Sequence, residues 1–575
     1  MRNQELAAIF SEIGDLLEIM GEQSFRINSY RRAARTIGEL TEDIAKLAEE
    51  GRLAELPGIG KGSVGRIEEF LAKGHIDDHK GLLDAVPKGL PALLKIPGMG
   101  PKKVALAWKQ LGVVDLESLQ RVIASGELAK LKGLGEKSVK QIADGIAFLS
   151  QGSERTPLGL AWPLAEELAA AMRKIKGVKR VEIGGSLRRG CETIGDIDLL
   201  CESDDGAAVV KAFTTLPQVK KVLASGDTKG SVLVDRRDGV AMQADCRVVP
   251  KASFGAALQY FTGNKDHNVR LREMAGKKKW KLNEWGLFDG EKQIAGADEA
   301  SIYKKLDLEI MPPEQREDRG EFDAGALEPL IELADIRGDL HMHTDASDGT
   351  VDAAGMAQGA SDLGYEYIAI TDHSKSSAIA NGLTIDRMWR QIEKLRELNK
   401  KHESVSILVG CECDILADGR LDYPDQLLAA CDLVVASVHA GQRQENKKIT
   451  ARVLKAMDNP YVTILGHPTG RLINRRAPMD LDMAAVIAHA AKTHTILEIN
   501  ASWQRLDLCD RHVRMARDAG VMVSIDTDAH SVAQLAQMRY GVATARRGWL
   551  RAKDVLNTLP LPSVRKRIAK KRGRA

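Results

Sequence analysis

No run of 18 apolar residues occurs in the sequence, so a membrane-spanning helix is not expected. The first 22 residues, "MRNQELAAIFSEIGDLLEIMGE", interrupt their apolar positions with acids, so no secretory leader is expected either. Cysteine is scarce: seven residues with no C-x-x-C pair and no even framework argue against a disulfide scaffold and point to a reduced, cytoplasmic protein. Cys411 and Cys413 flank Glu412 on a predicted strand, which turns both thiols away from that carboxylate. Net charge is close to absent, since 83 Lys and Arg against 80 Asp and Glu leave +3, so any surface for nucleic acid must be local. Aromatics are few at 4%, yet 44% hydrophobic residues supply several cores, which excludes a disordered chain. At 575 residues the chain exceeds one core and predicts about three or four domains.

From Asn3 to about Ser150 the apolar spacing is helical and broken by glycine turns. One pattern recurs there: "LPGIGKG" (56–62), "IPGMGPK" (96–102) and "LKGLGEK" (131–137). In each, a Gly-x-Gly turn opens a new helix with a lysine close by, which resembles the helix-hairpin-helix motif of DNA-binding proteins. Glycine permits positive φ and close approach to a phosphate, while free amides and the dipole at the next helix start favour an anion. By that resemblance Gly58, Gly60, Lys61, Gly98, Gly100, Lys102, Gly133 and Gly135 contact the DNA backbone without reading sequence. The tail "RKRIAKKRGRA" reads as a solvated terminus or a phosphate-binding one.

Between Thr156 and about Pro312, strands such as "VKRVEIGGS", "DIDLLCE", "SVLVDRR" and "VAMQADCRVV" mix with helices and predict an α+β unit on a mostly antiparallel sheet. The string "GGSLRRGCETIGDIDLL" (184–200) ends in two aspartates that flank one isoleucine. Side chains two apart on a strand share a face, so Asp196 and Asp198 project together and need a positive partner between them. Asp245, bracketed by Ala244 and Cys246, offers a third carboxylate, and three acids on adjacent strands suit a two-metal phosphoryl-transfer site. A lone D-x-D is equally the mark of a solvated strand edge; the longer string resembles the nucleotidyltransferase signature in the form found in family X DNA polymerases. "QADCRVVP" and "YFTGNKDHNVRLR" (260–272) extend the likeness over residues 1 to about 310.

That resemblance implies that Asp196, Asp198 and Asp245 hold Mg²⁺ or Mn²⁺, with Asp245 helping to activate a primer 3′-hydroxyl. It implies further that Arg155, Gly185, Ser186 and Arg189 meet the incoming triphosphate, Tyr260 and Phe261 its sugar, and Asn268 and Arg272 its base and the template. Arg66 stands where some family members carry a Schiff-base lysine; a guanidinium is a poor imine former, so weak or absent lyase activity by that route is expected. Gln243 and Asn264 also depart from the residues usual in relatives.

From Ile336 onward, seven short apolar strands alternate with helical segments, which predicts a barrel with its chemistry at the C-terminal strand ends. Six of the thirteen histidines fall at those ends: His341, His343, His373, His439, His467 and His530, joined by Glu412 and Asp528. Imidazoles mixed with carboxylates suit Mn²⁺, Zn²⁺ or Fe²⁺, and so many ligands imply more than one ion. The series H-x-H, T-D-H, Glu, S-V-H, G-H-P, D-x-H resembles the polymerase and histidinol phosphatase (PHP) domain, and the resemblance adds Asp348. His402, His489, His494 and His512 lie in helical contexts and read as structural.

The expected layout is a helical DNA-binding domain (1–80), helical fingers with two further hairpins (81–150), an α+β nucleotidyltransferase palm and thumb (151–312), a linker (313–335) marked by the Pro-, Gly- and acid-rich stretch 311–329, and a distorted (β/α) barrel (336–575). The order resembles a bacterial family X DNA polymerase. It implies a monomeric, nucleoid-associated enzyme that takes gapped or primed DNA and deoxynucleoside triphosphates, fills gaps in base excision repair, and hydrolyses phosphodiesters 3′ to 5′ or near damaged sites. Two alternatives stay open: a small-molecule phosphatase tethered to a DNA-binding module, and a non-catalytic DNA scaffold.

Overall fold

In the computed structural model, residues 2–573 are described apart from 41–43, 57, 95, 97, 137, 141, 144–145, 147–154, 237, 239, 325–327 and 403. Contacts divide the chain into two compact units, residues 1–154 with 474–477 and residues 155–473 with 478–575.

The first unit is helical, as its apolar spacing predicts. Helix Arg2–Met20 serves two cores: Leu6, Phe10, Ile13 and Leu17 pack with Ile27, Ile37, Ile67 and Phe70, whereas Leu16 and Ile19 pack with Leu90, Val104, Leu119 and Leu134. The three glycine turns share one backbone plan. Ile59, Met99 and Leu134 are buried between the glycines, and their amides donate to Leu56, Ile96 and Leu131 at 3.1, 2.9 and 2.9 Å. Gly58, Gly98 and Gly133 take φ of +76, +92 and +88°, the left-handed turn that an L side chain resists. Gly60 and Gly100 then cap helices Lys61–Lys73 and Pro101–Leu111.

The second unit begins with a short ladder, β1 (Thr156–Pro157) against β3 (Thr193–Ile194). Around it lie β2 (Arg180–Ile183), β4 (Asp196–Glu202), β5 (Val219–Ser225), β6 (Lys229–Asp235) and β7 (Ala241–Val249), ordered β2-β4-β7-β6-β5 with only β4 and β7 parallel among these described strands. Helices Leu158–Arg173 and Gly206–Thr214 cover one face, where Ile197, Leu199, Val232 and Ala244 meet Leu168, Val210 and Phe213. A thumb follows: helices Phe254–Thr262, Lys265–Lys277 and Glu299–Lys305 beside the antiparallel β8 (Lys281–Asn283), β9 (Gly286–Asp289) and β10 (Lys292–Ala295).

The segment expected as a linker is packed structure over much of its length. Met311, Gln315, Arg316 and Glu321 are buried. Arg316 donates to Glu299 Oε1 and to the Met311 carbonyl at 2.8 Å, with its guanidinium 5.3 Å from the Tyr303 ring centre. Composition counted these charges as solvated, whereas each meets a partner distant in sequence.

Seven parallel strands then follow in chain order: β11 (Gly338–Met342), β12 (Tyr367–Ile370), β13 (Ser406–Asp414), β14 (Leu433–Ser437), β15 (Ile464–Leu465), β16 (Ile496–Asn500) and β17 (Val523–Asp526). The His343 amide donates to Ala529 O at 2.8 Å and the Asp528 amide to His341 O at 2.9 Å, which brings the last strand back to the first. Tyr367, Leu408, Val435, Ile464 and Ile496 form an apolar layer with Leu556, Val564 and Ile568. The last two belong to helix Leu561–Lys571, so the basic tail is a docked helix up to Lys571. Val564 and Ile568, four apart, form the stripe that the surrounding cations hide in the sequence.

Candidate active sites

β4 and β7 run side by side with Asp198 opposite Asp245 and Asp196 opposite Gln243. Alternation sends Ile197, Leu199, Ala244 and Cys246 into the core and leaves the three aspartates half-buried on the other face. Burial pushes the Asp198 carboxyl up to about 7, helped by the charges of Asp196 and Asp245 and opposed by Lys229 and Arg189. Lys229 Nζ lies 3.0 Å from Asp245 Oδ2, and Gln243 Nε2 donates to Asp245 Oδ1 at 2.9 Å. Gly185, at φ +62°, closes over this group: a Cβ there would stand 2.1 Å from Asp198 Oδ2. Three crowded carboxylates, one resisting ionisation, are a donor set suited to hard divalent cations.

Ser186 lies in the short helix Gly185–Arg188. Arg189 follows it, with Nε donating to Glu317 Oε1 at 2.9 Å, Nη1 to Thr262 O at 2.5 Å, and Nη2 meeting the Cys191 sulfur at 3.9 Å. Arg155 is exposed and held on Thr193, its Nη2 2.6 Å from that carbonyl. Tyr260 and Phe261 stand edge to face with ring centres 5.2 Å apart, and the Phe261 backbone borders Gly184. Asn268 is buried and donates to Tyr260 O at 2.8 Å, so its amide holds that aromatic segment, while Arg272 is exposed further along the same helix. Sequence reading missed Lys229, Glu299 and Glu317. Lys229 alone carried a signal, as the cation that opens the strand paired with the third aspartate.

In the barrel, the strand ends converge on Glu412. His373 Nδ1, His467 Nε2 and His439 Nε2 lie 2.8, 2.9 and 3.2 Å from its oxygens, and His341 and His343 lie 3.6 and 3.7 Å away. Asp528 Oδ1 is 3.1 Å from His343 Nε2, and Asp348 Oδ1 is 3.3 and 3.6 Å from His530 and His373 Nε2. Three overlapping groups each gather atoms close enough for one cation: His343, Asp348, His373 and His530; His341, His343 and Asp528; and His373, Glu412 and His439. All nine barrel residues singled out from the sequence therefore meet in one cluster.

Buried donors there lack partners, which is what a cation site requires. His341 Nε2, His343 Nδ1, His373 Nδ1 and Glu412 Oε2 are buried with no hydrogen bond, although the last two are only 2.8 Å apart. Charges diverge accordingly. Burial holds His343 down to about 3, aided by His530 and His373, and lowers His467 to about 4. Burial also opposes charge on His439 and His530, but Glu412 with Asp414 lifts the first to about 10 and Asp348 lifts the second to about 9. Two supporting acids escaped sequence reading: Glu498, 2.6 Å from His341 Nδ1, and Asp414, 2.5 Å from His439 Nδ1. Asp414 ends β13, the signal that located the histidines, whereas Glu498 sits in the middle of β16 and carried no such signal; partners of this kind fix ring orientation.

At the hairpins, Lys61 and Lys102 are exposed beside their turns, and a Cβ at Gly60, Gly100, Gly133 or Gly135 would meet nothing within 4 Å. Arg66 binds Asp78 Oδ2 through Nε at 3.0 Å and lies 5.3 Å from the Tyr30 ring centre, occupied as a structural cation.

Family models agree with this layout: a helix-hairpin-helix domain matches residues 1–76, a SAM-like helix-hairpin-helix tandem 90–147, DNA polymerase beta thumb 257–317 and PHP domain 339–502. Probable phosphatases of Clostridium novyi (strain NT) and Clostridium acetobutylicum are 29% and 32% identical over 205 and 206 residues, each 33% of this chain and 78% of the relative. DNA polymerase/3′-5′ exonuclease PolX of Bacillus subtilis (strain 168) is 38% identical over 569 residues, 98% of this chain and 99% of the relative. With two acidic and histidine-rich centres on one chain and an alignment that runs nearly end to end, the chain belongs to the PolX family of DNA polymerase/3′-5′ exonucleases.

Proposed function

We propose that this chain is a DNA-directed DNA polymerase that fills short gaps during DNA repair, with a barrel that removes 3′ nucleotides. The observation that carries the reading is Asp198 set directly against Asp245, with Asp196 on the same face. Divalent cations, Mg²⁺ or Mn²⁺ on the three aspartates and Mn²⁺, Zn²⁺ or Fe²⁺ on the barrel cluster, supply charge neutralisation on phosphate oxygens and lower the cost of deprotonating a hydroxyl or water. Asp245 lies ready to take the primer hydroxyl proton, oriented by Gln243. The turn at Gly185 and Ser186 and the arginine after it receive the triphosphate, while Tyr260 and Phe261 lie along its sugar. The hairpins hold the duplex backbone. In the barrel, Glu498 and Asp414 orient His341 and His439, and the unpaired face of the cluster receives a DNA end.

The test is a pair of double variants assayed on a one-nucleotide gap. Asp196→Ala with Asp198→Ala is expected to cut extension by about 10³-fold or more and to leave excision intact; His341→Ala with His343→Ala does the reverse. Extension that survives the first pair refutes the polymerase assignment. The likeness of a third of the chain to probable phosphatases gives a second reading, in which the barrel hydrolyses small phosphomonoesters; turnover of such a compound far above that of a DNA end would favour it.

A further inference from the structure

Helix Met538–Arg547 lies between the barrel and the palm, and its last residue reaches the nucleotide side. Arg547 Nη1 donates to the Arg189 carbonyl at 3.0 Å and to Glu317 Oε1 at 2.9 Å, while Arg189 Nε donates to that same oxygen at 2.9 Å. On its other edge Arg547 Nε donates to Asp510 Oδ2 at 3.1 Å, an oxygen that Arg319 Nη2 also reaches at 3.1 Å. Charge therefore alternates along Arg189, Glu317, Arg547, Asp510 and Arg319. The side chains of Arg189, Glu317 and Arg547 are 14, 16 and 11% exposed, so water screens this chain of charges poorly.

We infer that Arg547, a residue of the barrel, is a positioning residue for nucleotide binding in the palm. One carboxylate oxygen shared by two guanidiniums holds each more weakly than it would hold one. With Arg547 present, Glu317 is neutralised and Arg189 keeps for a phosphate oxygen its Nη2 edge, which among the described residues meets the Cys191 sulfur at 3.9 Å. Without Arg547, Glu317 presents a full negative charge to Arg189 and to the anion that Arg189 serves. The Arg189 carbonyl would lose a donor as well. This inference rests on the proposed role of Arg189 at the triphosphate.

The experiment measures steady-state dNTP incorporation into gapped DNA by the full chain, with 3′ excision recorded on the same preparations. Arg547→Ala is expected to raise KM for dNTP about five- to tenfold with kcat within about twofold, and adding Glu317→Gln is expected to return KM to within about twofold of wild type. Arg547→Lys, which keeps the charge, lies closer to wild type than Arg547→Ala. An unchanged KM in Arg547→Ala, a rise that persists when Glu317 is neutralised, or a fall of excision in step with extension overturns the proposal. Arg189→Gln separates the two layers: no change in KM there refutes the triphosphate role itself, whereas a raised KM there with none in Arg547→Ala refutes only the positioning by Arg547.

Discussion

Glu299 holds two arginines from distant parts of the chain. Arg188, in the glycine turn beside the three aspartates, grips it with two bonds of 2.9 and 2.7 Å, and the fully buried Arg316 takes Oε1. Burial opposes its ionisation, yet Arg188 and Arg316 hold its carboxyl down to about 2. A group depressed in this way contributes stability that is present above its unfolded value of about 4.5 and is lost as pH falls toward 2. Glu299→Gln is therefore expected to cost about 3 kcal/mol near neutrality, because it strands a buried guanidinium. The gap between wild type and variant, followed by denaturant unfolding, should close as pH drops from about 4.5 toward 2. Nothing local in the sequence marks this residue, whose partners lie 111 and 17 positions away. The aspartates and histidines were legible for the opposite reason: the aspartates break the apolar alternation of their strands and the histidines gather at strand ends, where a polar residue has no packing role.

Among the elements, the hairpins are the most legible because their whole plan is local. Gly58, Gly98 and Gly133 are needed for φ, but Gly60, Gly100 and Gly135 are not: none takes a left-handed φ, and a Cβ on any of them has open space. On the proposed function, their bare backbone is the face that a DNA phosphate approaches. Converting all three to alanine is expected to cost below about 1 kcal/mol of stability at each site. The same change should weaken duplex binding by about tenfold and flatten its dependence on salt, as phosphate contacts are lost. Fluorescence anisotropy across a salt series reads both, and wild-type affinity in the triple variant would remove the hairpins from the DNA path. The elements misjudged from sequence are the linker and the tail. Each is rich in charge, and composition does not show that Arg316 has Glu299 or that Lys571 Nζ donates to the Met457 carbonyl at 2.7 Å.

For the molecule as a whole, the order of domains was readable, but the fusion of palm and barrel into one unit was not. Ile473, Leu506, Tyr540 and Ala543 of the barrel belong to the palm's apolar core, and Gly159 is so close to Trp503 that a Cβ would stand 2.2 Å from the ring. Helix Met538–Arg547 joins the two cores, since Met538, Val542 and Ala545 face the barrel while Tyr540 and Ala543 face the palm. With three arginines among its ten residues, this helix gives no sign in the sequence that it is shared between two cores. Salt links run along the same seam, Arg471 to Glu192 at 2.6 Å and Arg546 to Glu314 at 2.7 Å. The Clostridium phosphatases align with a third of this chain, yet cutting out the barrel alone would bare the side chains that it packs against the palm. Each large side chain so exposed forfeits about 1.5–3 kcal/mol, and several together consume a margin of about 5–15 kcal/mol. A fragment of residues 330–575 is therefore expected to aggregate or to melt at least about 10 °C below the corresponding transition of the intact chain. Residues 155–575 should instead remain soluble and give one calorimetric transition for palm, thumb and barrel. A stable, monomeric barrel fragment with full excision activity would show that the shared core is dispensable to the barrel.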